Sequence, residues 1–291
     1  MVGRMQPPAH PQAPAAAPRA SDVTVTVTNA RILAPDTVRA GYARLRLRNR
    51  SDSVTAHGLV RLRDGVPVAD GVRAVRVMWR LERGDARAAR AKLAGFYGGA
   101  VFVAPHAERA VGVVLPPGDY VTYVDVITRG GPRVPEAFVR PLHVRAAPGA
   151  ARVAPAARPA DVVVRMADMR FDMPARVSAG PLRWRFENAG ASDHLAFVTR
   201  LRPGRTFDEA RVWLATHRGP RPLENDARTV GVHALSGGVA NDVVLDLAPG
   251  EYVVACLIGG HHRAGMVRRL TVEAPARAAR RAAGVAAPGV R

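Results

Sequence analysis

Cysteine is nearly absent: Cys256 is the only one in 291 residues. This excludes an intrachain disulfide framework, and any zinc or iron-sulfur site built from several cysteines of one chain. Lysine is scarcer than the charge implies. Lys92 is the only one, so the 43 basic residues and the formal net charge of +19 are almost entirely arginine, within a text rich in Ala, Gly and Pro. Aromatic residues make up 5%, and no recognisable fold motif or set of stacking aromatics joins the arginines, which argues against nucleic acid. The charge reads instead as a basic surface that attracts acidic partners. No apolar run reaches the roughly 18 residues of a membrane-spanning helix. A nucleophile with its base, a phosphate-binding loop and a carboxylate pair are also missing.

The N-terminal residues 1–20 are Pro and Ala rich and lack the apolar core of a secretory signal. They read as a flexible leader, consistent with a cytoplasmic protein, with a true start further upstream, or with an export signal already removed. Residues 275–291 repeat Ala, Arg and Gly without periodicity and read as a solvated tail.

What is present is organised as a tandem repeat. With 48% hydrophobic and 23% charged residues, the chain is globular, and at about 100 to 200 residues per domain its length suggests two domains. The corner Leu115-Pro-Pro-Gly-Asp-Tyr120 returns as Leu247-Ala-Pro-Gly-Glu-Tyr252. Such a sequence turns tightly into a core strand, with the tyrosine closing the corner by a hydrogen bond to backbone. Asp22-Val-Thr-Val-Thr-Val matches Asp161-Val-Val-Val-Arg-Met, Val38-Arg-Ala-Gly41 matches Val177-Ser-Ala-Gly180, and Arg44-Leu-Arg-Leu-Arg-Asn49 matches Arg183-Trp-Arg-Phe-Glu-Asn188, in one unbroken register that also aligns Gly98-Gly99 with Gly237-Gly238.

These segments alternate apolar and polar residues, the two-residue period of strands buried on one face. Each copy is expected to be a β-sandwich of about seven or eight short strands. A helix interrupts both: Thr206-Phe-Asp-Glu209 is a capping box opening a helix to His217, and Asp85 to Leu93, stopped by Gly95, fills the same place in the first copy. The expected boundaries are a first sandwich at 21–146, a linker at 147–160 and a second sandwich at 161–274.

The chemistry concentrates at the end of the second copy, in Tyr252-Val-Val-Ala-Cys256-Leu-Ile-Gly-Gly-His261-His262-Arg-Ala-Gly-Met266. A cysteine ending a core strand, a histidine in the following loop and a methionine opening the next strand have a spacing that lets three side chains converge. His194, which follows the turn Asn188 to Asp193, is well placed to join them. His262 competes with His261 for the loop position. Taken singly, each has a plainer role: a buried cysteine as a small core residue, a loop histidine in solvent, a methionine in the core.

The loop resembles the copper loop of the cupredoxins, the plastocyanin and azurin type of blue copper protein. It reproduces the Tyr-x3-Cys spacing and the run His-x2-Ala-Gly-Met-Val, with four residues between Cys256 and His261, as in azurins, where plastocyanins have two. The match to His-x2-Ala-Gly-Met favours His261 over His262. Leu195 stands where plastocyanins and azurins usually carry an asparagine. The resemblance implies an all-β fold of two tandem cupredoxin-like Greek-key sandwiches, each with a short helix between strands. It implies one copper ion in the second, with His194, Cys256 and His261 as equatorial ligands and Met266 axial, a donor set suited to blue copper. It further implies single-electron transfer to a redox partner with an acidic surface, and a periplasmic or other extracytoplasmic location. Multicopper oxidases carry His-x-His pairs, absent here, and copper nitrite reductases place a histidine directly before the cysteine, where this chain has Ala255; the expectation is therefore a non-enzymatic protein. Two rival readings are a copper-free binding or structural module, and a Cu(I) carrier.

In the first copy Val124 takes the place of Cys256, Arg133 that of His261 and Phe138 that of Met266. Only His57 remains near the position of His194, so this sandwich is expected to lack a metal site. His10, His106, His143, His217 and His233 are dispersed and read as surface or satisfied core residues.

Overall fold

The computed structural model describes residues 21–78, 83–128, 131–146 and 159–275. The leader, most of the linker and all but the first residue of the tail lie outside the described residues.

The first copy contributes β1 (Ser21–Val27), β2 (Ile32–Leu33), β3 (Thr37–Arg39), β4 (Gly41–Asn49), β5 (Thr55–Leu62), α1 (Val68–Met78), α2 (Arg83–Ala91), β6 (Leu93–Phe96), β7 (Glu108–Leu115), β8 (Gly118–Thr128), β9 (Gly131–Arg133) and β10 (Val139–Arg145). The second contributes β11 (Val162–Ala167), β12 (Arg170–Asp172), β13 (Arg176–Ser178), β14 (Gly180–Asn188), β15 (His194–Arg200), α3 (Phe207–Thr216), β16 (Val230–Leu235), β17 (Ala240–Leu247), β18 (Gly250–Ala255) and β19 (Val267–Glu273). The strands exceed the expected number because two- and three-residue pieces pair at the edges.

Topology repeats with the sequence. The first strand of each copy pairs parallel with the fourth, β1 with β4 and β11 with β14. The corner strand is central in each back sheet, β8 between β10 and β5, and β18 between β19 and β15. Both corner tyrosines close as expected: the Tyr120 hydroxyl donates to the Pro116 carbonyl at 2.9 Å and that of Tyr252 to Ala248 at 2.9 Å. The inward residues of each strand, such as Val23, Val25, Leu45 and Leu47 in one copy and Val164, Trp184 and Phe186 in the other, are almost fully buried.

The helices agree in the second copy and differ in the first. Thr206 caps α3 through a complete capping box with Glu209. In the first copy two helices occupy the insertion, and the predicted helix gives way after Ala91: Leu93 to Phe96 is a strand pairing with β5, with Gly95 extended opposite Arg61. Leu93, the last residue of the expected helix, is instead buried with Phe96 against Val60 and Leu62, so tertiary packing ends the helix two residues early.

One feature of the architecture was not expected. β7 and β17, equivalent edge strands of the two copies, pair antiparallel about Val111 and Val243, themselves equivalent. The two front sheets thus fuse into one of eight strands, ordered β12-β11-β14-β17-β7-β4-β1-β2, and neither of these edges is left open. The segment after β6 adds a second seam: Gly98 N–H donates to Ala234 carbonyl, His233 N–H to Gly99 carbonyl, and Asn241 Nδ2 to Tyr97 carbonyl. Gly99 is required there, since a Cβ would stand 2.0 Å from the His57 carbonyl oxygen.

His57 lies just behind this seam, buried, with Nε2 at 2.8 Å from Thr122 Oγ1. Burial, reinforced by His233, pushes its pKa down to about 3 from 6.5. Between these values the unfolded chain holds a proton that the folded chain refuses, so stability falls as pH drops from 6.5 toward 3. Urea denaturation is expected to show the wild type losing about 2 kcal/mol more than His57→Leu between pH 6.5 and pH 5. Parallel pH profiles for the two proteins would contradict this.

Candidate metal centre

The cysteine is positioned by the corner. Tyr252 anchors the start of β18, the strand runs between β15 and β19, and Cys256 leaves its end fully buried. The following loop folds back through three glycines with left-handed backbone, Gly259, Gly260 and Gly265 (φ 52°, 81° and 103°). It is closed by its own main chain: His262 N–H donates to the Cys256 carbonyl at 3.0 Å, Met266 N–H to the His261 carbonyl at 3.0 Å, and Cys256 N–H to the Met266 carbonyl at 3.1 Å. His261 is thereby turned over the thiol.

His194 opens β15 and is completely buried. The loop before it is held by buried Asn188, whose Nδ2 donates to the carbonyls of Ser192 (2.7 Å) and Leu235 (2.6 Å) and whose Oδ1 accepts from Gly190 N–H (2.9 Å). The next residue, Leu195, offers its backbone N–H to Cys256 Sγ at 3.5 Å.

These elements bring three of the four expected ligands to one point. His194 Nδ1 and His261 Nδ1 are 3.2 Å apart, and Cys256 Sγ is 3.9 Å from the first and 3.5 Å from the second. Bonds of about 2.0 Å to nitrogen and about 2.3 Å to sulfur in a trigonal plane require donors about 3.5 to 3.7 Å apart. The observed triangle has that size, and two imidazoles with one thiol suit a cation with affinity for nitrogen and sulfur. Met266 is fully buried in the same apolar cluster as Cys256. His262 is not in the group; its ring nitrogens are buried elsewhere.

The electrostatics favour a bound cation. Burial pushes the Cys256 thiol up, only partly offset by the N–H groups of Leu195 and Ile258, so a cation is needed to hold the thiolate. Burial, followed by the neighbouring His194, lowers the pKa of His261 and leaves its ring neutral and able to ligate.

Sequence reasoning missed two carboxylates beside the histidine. Asp168, in the turn between β11 and β12, accepts His194 Nε2–H at 3.0 Å and the N–H groups of Ser192 (3.1 Å) and Ala191 (3.2 Å). These donors hold its carboxyl down to about 2. Asp193 instead faces the first copy. Arg90 of α2 grips it through Nε and Nη2 (3.1 and 2.8 Å), and Ser236 Oγ donates to it. Ile258 of the cysteine loop also packs against the cluster beneath α1 and α2, so the first copy directly supports the copy that holds the histidine and cysteine cluster.

No family model and no curated protein matches the sequence. Solved structures with a similar fold include a dithionite-reduced auracyanin from the photosynthetic bacterium Roseiflexus castenholzii, 20% identical, covering 38% of this chain and 94% of that one with a TM-score of 0.29. A multicopper oxidase is 12% identical over 88% of this chain and 89% of its own (TM-score 0.26). A Cu-containing nitrite reductase from Thermus scotoductus is 13% identical over 87% and 61% (TM-score 0.23). Likenesses this distant carry no function; the strand order and the repeated Tyr corner stand on their own. Both copies have the cupredoxin fold.

The first cupredoxin copy keeps the fold with apolar residues where the second has its cysteine and methionine. Val124 and Phe138 are buried in its core. His57 corrects the sequence reading: in the register of the repeat Thr55 matches His194, while His57 matches Ala196 and is bonded to Thr122. His233, expected to be a satisfied or surface residue, is buried with Nε2 at 2.9 Å from Asp125 of the other copy.

Proposed function

We propose that the second cupredoxin domain binds one copper ion through His194, Cys256 and His261, with Met266 as the weak fourth ligand, and that the protein carries single electrons. The observation that carries this reading is the triangle of two ring nitrogens and one sulfur, buried at the end of a central strand. Bound copper supplies one-electron exchange between its cupric and cuprous states. The protein's part is to hold the donors still. β18 fixes the sulfur, the Asn188 loop fixes His194, and the self-closed glycine loop fixes His261. Leu195 N–H offsets some of the thiolate charge, and complete burial of His194 keeps water from its side of the site.

The redox partner is expected to present an acidic face to this arginine-rich protein. The expected compartment is the periplasm or another extracytoplasmic space, as for the blue copper proteins the loop resembles. Electron carriage, rather than catalysis or copper delivery, is tested by cycling the copper-loaded protein between oxidised and reduced states during dialysis against a Cu(I) chelator. Retention of the metal through repeated cycles supports it. Loss of copper on each reduction favours the carrier, and turnover of oxygen or nitrite favours an enzyme.

A further inference from the structure

Asp168 is joined to His194 by more than proximity. Its carboxylate accepts the Nε2 proton at 3.0 Å, which leaves Nδ1 bare and directed at Cys256 and His261. The two N–H groups of Ala191 and Ser192 fix the carboxylate in place. Gly190 makes room for it: a Cβ at that position would stand 2.5 Å from Asp168 Oδ1. Asp193, the other nearby carboxylate, is committed to Arg90 and Ser236.

The repeat supplies an internal control. In the first copy Asn29 stands in the place of Asp168, Ser51 in that of Gly190 and Thr55 in that of His194. Asn29 Oδ1 accepts the Asp52 N–H at 2.9 Å, the counterpart of the Ala191 contact. An amide thus builds the same turn, and the carboxylate together with the bare glycine occurs only in the copy that has the histidine.

We infer that Asp168 is a positioning residue of the metal centre, fixing the His194 tautomer and placing a negative charge behind the ligand that favours the cupric over the cuprous ion. This rests on the copper reading above. A hydrogen-bonded carboxylate makes an imidazole a stronger donor, and loss of such a partner typically lowers metal affinity about 10- to 100-fold. A cation of higher charge gains more from it.

The test compares the full-length wild type with Asp168→Asn and Asp168→Ala, each first checked for an unchanged thermal midpoint. Nitrogen NMR of the labelled apoprotein should find His194 protonated at Nε2 in the wild type and a mixture of tautomers in Asp168→Ala. With copper, Asp168→Asn should lose about 10- to 100-fold in affinity for Cu(II) and less for Cu(I). For a one-electron couple the reduction potential should therefore rise, by no more than about 60 to 120 mV. A variant with the wild-type tautomer, affinity ratio and potential overturns the role of Asp168 alone. Failure of the wild type to bind copper, with the tautomer result as expected, overturns the charge effect on copper together with the copper reading, and leaves Asp168 only the orienting of His194.

Discussion

Cys256→Val is expected to abolish the intense visible absorption of the copper-loaded protein and to weaken copper binding by about two orders of magnitude or more, because the thiolate is both the anionic ligand and the source of the charge-transfer band. The fold should survive. The first copy carries the fully buried Val124 at the equivalent position, so a valine is already compatible with the end of this strand, and near volume-conserving core exchanges usually cost less than about 1.5 kcal/mol. Circular dichroism and the urea midpoint of the apoprotein check that half of the prediction. A variant that remains blue would remove Cys256 from the site. One that unfolds would mean that the cysteine serves the core before it serves a metal.

The second large effect falls on a matched pair of asparagines. Asn188→Ala removes the bonds to the Ser192 and Leu235 carbonyls and from the Gly190 N–H, and Asn49→Ala removes those to the carbonyls of Ser53, Val103 and Ala104 and from Ser51 N–H. At about 1 kcal/mol per lost bond, Asn188→Ala is expected to lose about 3 kcal/mol and Asn49→Ala about 4 kcal/mol in urea denaturation. They part company on metal. Asn188 holds the loop that presents His194, so its loss should lower copper affinity about 10- to 100-fold, the range seen when the support of a ligand is removed. Asn49 supports a loop ending in Thr55, and its variant should bind copper as the wild type does once folded. Equal effects on affinity would mean that general destabilisation, and not the His194 loop, governs the site.

Much of this architecture is legible in the residues because strand period, corner and repeat agree with one another. Leu-x-Pro-Gly-x-Tyr, written twice, announces two corners, and the Cys256 to Met266 spacing announces a loop that returns on itself. What escaped are features whose partners lie far apart in sequence. Asp168 is 26 residues from His194, in a turn that reads as generic until the fold closes over it. Arg90 and Asp193 belong to different copies, and their pairing depends on the β7 to β17 seam, for which the alternation of Val111 and Val243 gives no cue. The helix expected to run to Leu93 ends at Ala91 because the burial of Leu93 is decided by its pairing with β5, far from it in the sequence. The position of His57 was recoverable: the repeat register matches Thr55, not His57, to His194.

His194, Cys256 and His261 are proposed to form one copper site, in the second copy alone. Titration of the apoprotein with Cu(II), followed by visible absorption, tests it most directly. An intense thiolate-to-copper band is expected to grow linearly and stop at one equivalent of copper per chain. No such band, or one that persists unchanged when His194 or His261 is replaced by alanine, would contradict it.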